Sequence, residues 1–140
     1  VDTTDASLSL EHAADRDHTV HVPKGIRRRR LGRLRGHIVW LVDGERVRNE
    51  LHCDFTCGGS DARYAYCAKN EIWIDDCLGP LDATATLLHE YIECEFMKRE
   101  GMTYEQAHDI ATAHEVAFRE KLVAERPKRV NVKRVERELP

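Results

Sequence analysis

One short stretch, His89-Glu90-Tyr91-Ile92-Glu93, carries residue types and spacings that metal chemistry uses. His89 and Glu93 are four apart, so on a helix they stand on one face about one turn from each other. An imidazole and a carboxylate so placed bind the same transition-metal ion. Leu81, Ala85, Leu88, Ile92 and Phe96 recur at helical spacing around them and form an apolar stripe. His89 and Glu93 flank that stripe, where packing orients a ligand that still reaches a cavity. Glu90, next to His89, is the candidate general base, able to take a proton from metal-bound water and pass it to a leaving group. On the wheel Glu90 points well away from the stripe, so it serves only if a cleft opens on that side.

A third donor has to come from another element. If a second helix folds back through a turn centred on residues 101–102, position 89 faces approximately position 114, which is His. His114 also continues the spacing Ala107, Ala111, Phe118. His89, Glu93 and His114 would make a three-point site with one open position. That is the catalytic arrangement for Zn2+ or another divalent transition metal, because water takes the fourth place. The pairing holds to within about one helical turn, so Glu115 and His108 stand as alternatives to His114.

His89-Glu90-Tyr91-Ile92-Glu93 resembles the His-Glu-x-x-His helix of the zincin metallopeptidases. The resemblance implies a zinc ligand at His89, the base at Glu90 and the second ligand at position 93, where this chain has Glu in place of His. It also implies that a strand beside the active helix pairs with extended substrate, and Ile72-Trp73-Ile74 is the candidate. A longer stretch, from about Val42 to Arg119, resembles a family of small proteins of phages and bacterial mobile elements. The matching pieces are Asp43-Gly44-Glu45-Arg46-Val47-Arg48, Asn70-Glu71-Ile72-Trp73-Ile74-Asp75-Asp76, Leu88-His89-Glu90, and Gly101-Met102-Thr103-Tyr104 with Ala107-His108. This likeness implies a compact strand-then-helix unit of bacterial or phage origin and names no substrate.

The elements that must hold these residues read as an α+β domain, a small antiparallel sheet followed by a two-helix hairpin packed on it. Ile38–Val42 is a β-rich run, and Asp43-Gly44 reads as a hairpin turn into Glu45–Arg48. Leu51–Phe55, Tyr64–Cys67 and Glu71–Asp75 read as further strands. Gly79-Pro80 punctuates, and Asp82 or Thr84 is positioned to cap a helix running to about Arg99. Gly101 ends it, Thr103 and Gln106 fit a capping box, and a second helix runs to about Glu125 before Pro127. Residues 1–36 are expected to be a flexible basic arm, 37–126 the folded domain and 127–140 a charged tail.

The composition bounds the rest. With 140 residues, 41% hydrophobic and 34% charged, the chain suits one domain with tails. No apolar run approaches the roughly 18 residues of a membrane span, and no signal-peptide core follows the first residues, so a cytoplasmic setting is expected. The net charge of -3 hides a segregation. Eight Lys/Arg face five Asp/Glu up to Gly36, six face sixteen from His37 to Glu115, and eight face four beyond. An acidic middle suits a bound cation, and basic ends suit a polyanion or an acidic partner. Arg27-Arg28-Arg29-Arg30 is the candidate phosphate contact; without aromatics it also reads as a solvated linker.

Other residues weigh less. Cys53, Cys57, Cys67 and Cys77 with His52 miss the close pairs of zinc sites and read as small buried or reduced residues. Cys94, beside Glu93, has no base placed to make it a nucleophile. Asp75 and Asp76 read as helix-dipole partners more readily than as metal ligands. Trp40 and Trp73 are expected to fill the core between sheet and helices. Two functional readings remain: a peptidase-like, metal-dependent hydrolase acting on a peptide or protein, and a non-catalytic module held to nucleic acid or a partner protein by its basic ends.

Overall fold

The computed structural model describes residues 21–140; the first part of the expected arm, with His12 and His18, lies outside them. The α+β class holds, and the described part of the arm is not an arm. Arg27–Leu34 is a strand, β1, paired antiparallel with β2, His37–Val42. Arg35 and Gly36, with φ of 41° and 84°, form the tight connection. Positive φ at both central residues matches the twist of a two-residue hairpin. Ile26 and Leu34 are fully buried at the two ends of β1 and tie the arginine-rich strand to the core.

Asp43-Gly44 does not turn a hairpin. Asp43 caps a short helix, α1 (Gly44–Glu50), by accepting from the Arg46 amide at 3.1 Å. The reason lies in the sheet, whose order is β1-β2-β4-β3, with β3 at Gly58–Ser60 and β4 at Glu71–Asp75. β2 and β4 run parallel, so one pairing in the expected antiparallel sheet is reversed. Parallel neighbours need a long crossover, and residues 43–70 supply it. Within it Leu51–Phe55 and Tyr64–Cys67 are turns, not strands. Phe55 and Tyr66 are buried there as packing residues.

Two helices follow, α2 (Pro80–Glu100) and α3 (Tyr104–Glu125). Pro80 opens α2 behind Gly79, without the side-chain cap expected from Asp82 or Thr84. Gly101, in the left-handed region at φ 63°, closes it. The Thr103–Gln106 capping box then starts α3, as the sequence predicts. The expected C-terminal tail holds a last helix, α4 (Val132–Glu138), which buries Val135 against the core while Leu139 closes behind it.

The sheet is covered on both faces. Ile72 and Ile74 of β4 turn toward α2, α3 and α4 and join Leu88, Ile92, Phe118 and Leu122. Trp73, between them in sequence, points to the opposite face with Val47, Phe55 and Tyr66. This period-2 alternation places Trp73 away from α2, α3 and α4 and against α1 and the crossover, with Trp40 half-buried beside it. The Arg27 guanidinium lies 5.8 and 5.7 Å from the two indole rings.

α2 is buried nearly all round, from Ala83 to Cys94 without a break. The crossover and β3 cover the side that a two-layer fold would leave open. Asp75 and Asp76 take structural roles. Asp75 accepts from Arg48 Nη1 at 2.9 Å and from the Cys77 amide at 3.1 Å, and Asp76 pairs with Arg28 at 3.1 Å.

Gly44 sits against the Asp75 carboxylate so closely that a Cβ would collide with it. Gly44→Ala is expected to cost about 1–3 kcal/mol, as overpacking does. Urea unfolding should show the lower midpoint, and a midpoint equal to that of the parent chain would contradict this packing.

Candidate metal centre

His89 Nε2 lies 3.0 Å from Glu93 Oε2 and 3.2 Å from His108 Nδ1, and His108 Nδ1 lies 2.9 Å from the same Glu93 oxygen. Three donor atoms from α2 and α3 thus form a nearly equilateral triangle. Atoms bound at 2.0–2.1 Å to tetrahedral zinc stand roughly 3.3 Å apart, so the triangle needs little movement to hold an ion. Protons satisfy it poorly. If both imidazoles donate to Glu93, two N–H groups confront each other across 3.2 Å.

The third donor is His108, not His114. His114 is exposed and stands outside the triangle. The reason is the geometry of the helix pair. Buried and facing positions on α3 advance alternately by four and three residues, through Tyr104, His108, Ala111, Glu115, Phe118 and Leu122. That seam passes through both alternatives considered for the site and skips 114. Seam spacing in the sequence fits either line, since Ala107, Ala111, His114 and Phe118 also advance by four and three; the packing of α2 on α3 sets the phase.

Glu115 completes the surroundings of His89. Its Oε1 approaches His89 Nδ1 to 2.8 Å, off the direction of an in-line ring N–H bond. A carboxylate behind a metal-binding imidazole fixes its orientation and raises its basicity. Arg119 holds Glu115 in turn at 2.6 Å and reaches Asp82 at 2.6 Å.

Glu90 is buried, only 8% exposed, and lines the same cleft as the triangle. The helical wheel turns it toward solvent, but β3 occupies that side. A Cβ on Gly58 would lie 3.1 Å from Glu90 Cγ and 2.9 Å from the Trp73 carbonyl oxygen, so glycine is what lets β3 pass this close. The cleft encloses about 360 Å³, within the range of small-ligand pockets. β4 lies inside the sheet between β2 and β3, so Ile72–Ile74 has no free edge for substrate. The outer strand beside the cleft is β3, whose Gly58 lines it.

Burial lowers the proton affinity of His89, but the carboxylates of Glu115 and Glu93 outweigh it and push the imidazole up to about 10. Burial, reinforced by the nearby Glu93 charge, holds Glu90 well above the usual carboxylate range. Glu115 is desolvated too, yet His89 and Arg119 pull it below its ordinary value.

A second polar group lies elsewhere. Cys94 Sγ is 3.6 Å from His37 Nε2 and 3.8 Å from Asp61 Oδ1. The Lys98 ammonium already occupies this group, 2.8 Å from Asp61 and 3.3 Å from His37. Burial pushes the Cys94 thiol up to about 12, which removes it as a nucleophile. Among the described residues, Cys53, Cys57, Cys67, Cys77 and His52 do not gather into a ligand set. No family, curated protein or solved structure matches the chain.

In the metal-free protein His89 and Glu90 both bind their protons more tightly when folded. Their contribution to stability is therefore full at low pH and is lost on alkalinisation. For Glu90 the loss begins above 4.5, and for His89 it runs from 6.5 to about 10. Glu115 acts with the opposite sign, and only as pH falls below 4.5. Chelator-treated protein should melt at steadily lower temperature between about pH 5 and about pH 10, and Glu90→Gln should flatten the acidic part of that slope. A melting temperature independent of pH would contradict the charge arrangement.

Proposed function

We propose that this chain is a metal-dependent hydrolase acting on peptide bonds, with Zn2+ or another divalent transition metal held by His89, Glu93 and His108. The observation that carries the reading is the donor triangle set in the wall of a cleft, with the buried carboxyl of Glu90 beside it. Two histidines and one glutamate are a donor set of catalytic zinc sites, and they leave a coordination position open.

When bound, the ion supplies a lowered water pKa and polarises a carbonyl. The chain's own residues supply the rest. Glu93 and the two imidazoles converge from adjacent helices in the wall of the cleft and would hold the ion there. Glu115 orients His89. Glu90, buried in the same cleft, would take a proton from the attacking water and deliver it to the leaving amine. A cation nearby favours its ionised form, which is the form a base needs.

Two observations support a peptide as substrate. The segment resembles the zincin helix, with Glu93 replacing the second histidine and α3 returning a histidine at position 108. β3 is an outer strand beside the cleft, and an extended peptide pairs with such an edge. The alternative of a basic binding module has fewer free charges than the sequence suggests. Arg27 is engaged by Glu71 at 2.9 Å, and Arg28 by Asp43 and Asp76. Arg29 and Arg30 remain exposed.

After dialysis against zinc, elemental analysis should find about one ion per chain. The ion should be lost in His89→Ala, Glu93→Ala and His108→Ala and kept in His114→Ala. Glu90→Gln should keep the ion and lower cleavage of a peptide library, read by mass spectrometry, by about 10²–10⁴-fold. A wild-type chain that takes up no zinc, or a Glu90→Gln variant as active as wild type, overturns the reading.

A further inference from the structure

Arg63 stands out in the wall of the same cleft. It belongs to the crossover just after β3, and its guanidinium carbon lies 3.3 Å from the centre of the Tyr104 ring and 5.2 Å from that of Tyr64. Its Nε and Nη1 are shielded from water, yet neither has a hydrogen-bond partner. Among the described residues it forms no ion pair. It is not short of acids in the neighbourhood, since Glu90 and Glu93 line the same cleft. The other arginine of the cleft, Arg119, is bound to Glu115 and Asp82.

A guanidinium shielded from water with unused N–H groups is costly unless an acceptor arrives. Arginine cannot escape that cost by losing its proton. Stacking on Tyr104 holds the plane of the group and reduces the freedom lost when an anion binds. The acceptor that suits such a group is a carboxylate. No carboxylate of the described residues fills the place, which leaves it to a ligand in the cleft.

We infer that Arg63 is the substrate-recognition residue of this site and binds a carboxylate carried by the peptide, next to the bond at the metal centre. The inference rests on the hydrolase reading for its substrate and on the stacked guanidinium, whose Nε and Nη1 have no acceptor, for its chemistry. A free C-terminal carboxylate and an acidic side chain share that chemistry. The enzyme would accordingly favour peptides that bring one of them close to the scissile bond.

The test is binding, so that it does not depend on turnover. The full-length chain carrying Glu90→Gln is titrated calorimetrically with N-acetyl-trialanine as the free acid, with the same peptide as its C-terminal amide, and with amidated N-acetyl-Ala-Glu-Ala, each with and without one equivalent of Zn2+. The free acid should bind about 10- to 100-fold more tightly than the amide. That preference should vanish in Arg63→Met, which retains the apolar stem on Tyr104, and fall partway in Arg63→Lys, which keeps the charge but not the planar fork. If the glutamate-containing amide binds like the free acid, the inference stands and the carboxylate can come from a side chain. Equal binding of acid and amide, no binding of either, or an unchanged preference in Arg63→Met overturns it. Arg63→Lys decides the matter if thermal melting shows Arg63→Met unfolded, since a full acid preference there overturns it as well. Failure to bind Zn2+ overturns the metal reading separately, because the acid-to-amide ratio without zinc still reports on Arg63.

Discussion

Acid buried at the seam between α2 and α3 is the constraint on which the site depends. Glu90 and Glu93 stand on one helix with almost no exposure, and Glu115 faces them from the next. An ionised carboxylate out of water is costly unless a cation or several donors meet it. The imidazole of His89 can offer one positive charge, and Arg119 is shared between Glu115 and Asp82. The seam therefore holds acid whose charge depends on the cations and protons that meet it. Without an ion it binds protons tightly: the carboxylates of Glu115 and Glu93 raise the proton affinity of His89, and burial, reinforced by the Glu93 charge, raises that of Glu90. In the proposed function a divalent cation takes the place of those protons.

The fold creates this burial through one topological choice. Because β2 and β4 are parallel, the chain between them has to cross over, and the crossover folds back as β3 along the flank of α2. Had the strands formed the expected antiparallel meander, α2 would have kept a solvent face and Glu90 would have stood on it. The crossover closes that face, and Gly58 makes the approach possible because any Cβ would press on Glu90 and on the Trp73 carbonyl. The same segment then delivers Arg63 and Tyr64 to the wall of the cleft. One connection thus buries the acid, brings a strand edge alongside and sets a guanidinium in the cleft that the donors line.

The helical half of the molecule was legible in the sequence. Gly79-Pro80, Gly101 and the Thr103–Gln106 capping box act within a few residues of themselves, so the limits of α2 and α3 follow from local chemistry. His89, Glu90 and Glu93 were legible for the same reason. The strand half was less so. Asp-Gly suits a hairpin turn and a helix cap equally well, and what decides at Asp43 is a parallel pairing with residues thirty positions away. The arginine run reads as solvated because its charges are counted alone, whereas Glu71, Asp43 and Asp76 stand ready for two of them. The choice between His108 and His114 turned on phase, because 107, 111, 114, 118 and 108, 111, 115, 118 both advance in steps of four and three. Local spacing does not fix which of these lines faces the helix packed alongside; the pairing of α2 with α3 does.

Among the described residues, two clusters combine histidine with oxygen or sulfur donors, and their difference shows what a vacant valence looks like. At His37, Asp61 and Cys94 a lysine from the next turn of α2 places its ammonium on the carboxylate. Charge there is balanced within the protein, and the thiol is held in its neutral form. At His89, Glu93 and His108 the donors are similarly close, but among the described residues no lysine or arginine pairs with Glu93. What meets that carboxylate is a pair of imidazoles, groups that can bind a metal ion through a neutral ring nitrogen. A structural cluster can be completed by a fixed cation on its own helix. A site that must accept an ion needs donors that can become neutral and turn toward it, and among the described residues this combination occurs at the α2–α3 seam.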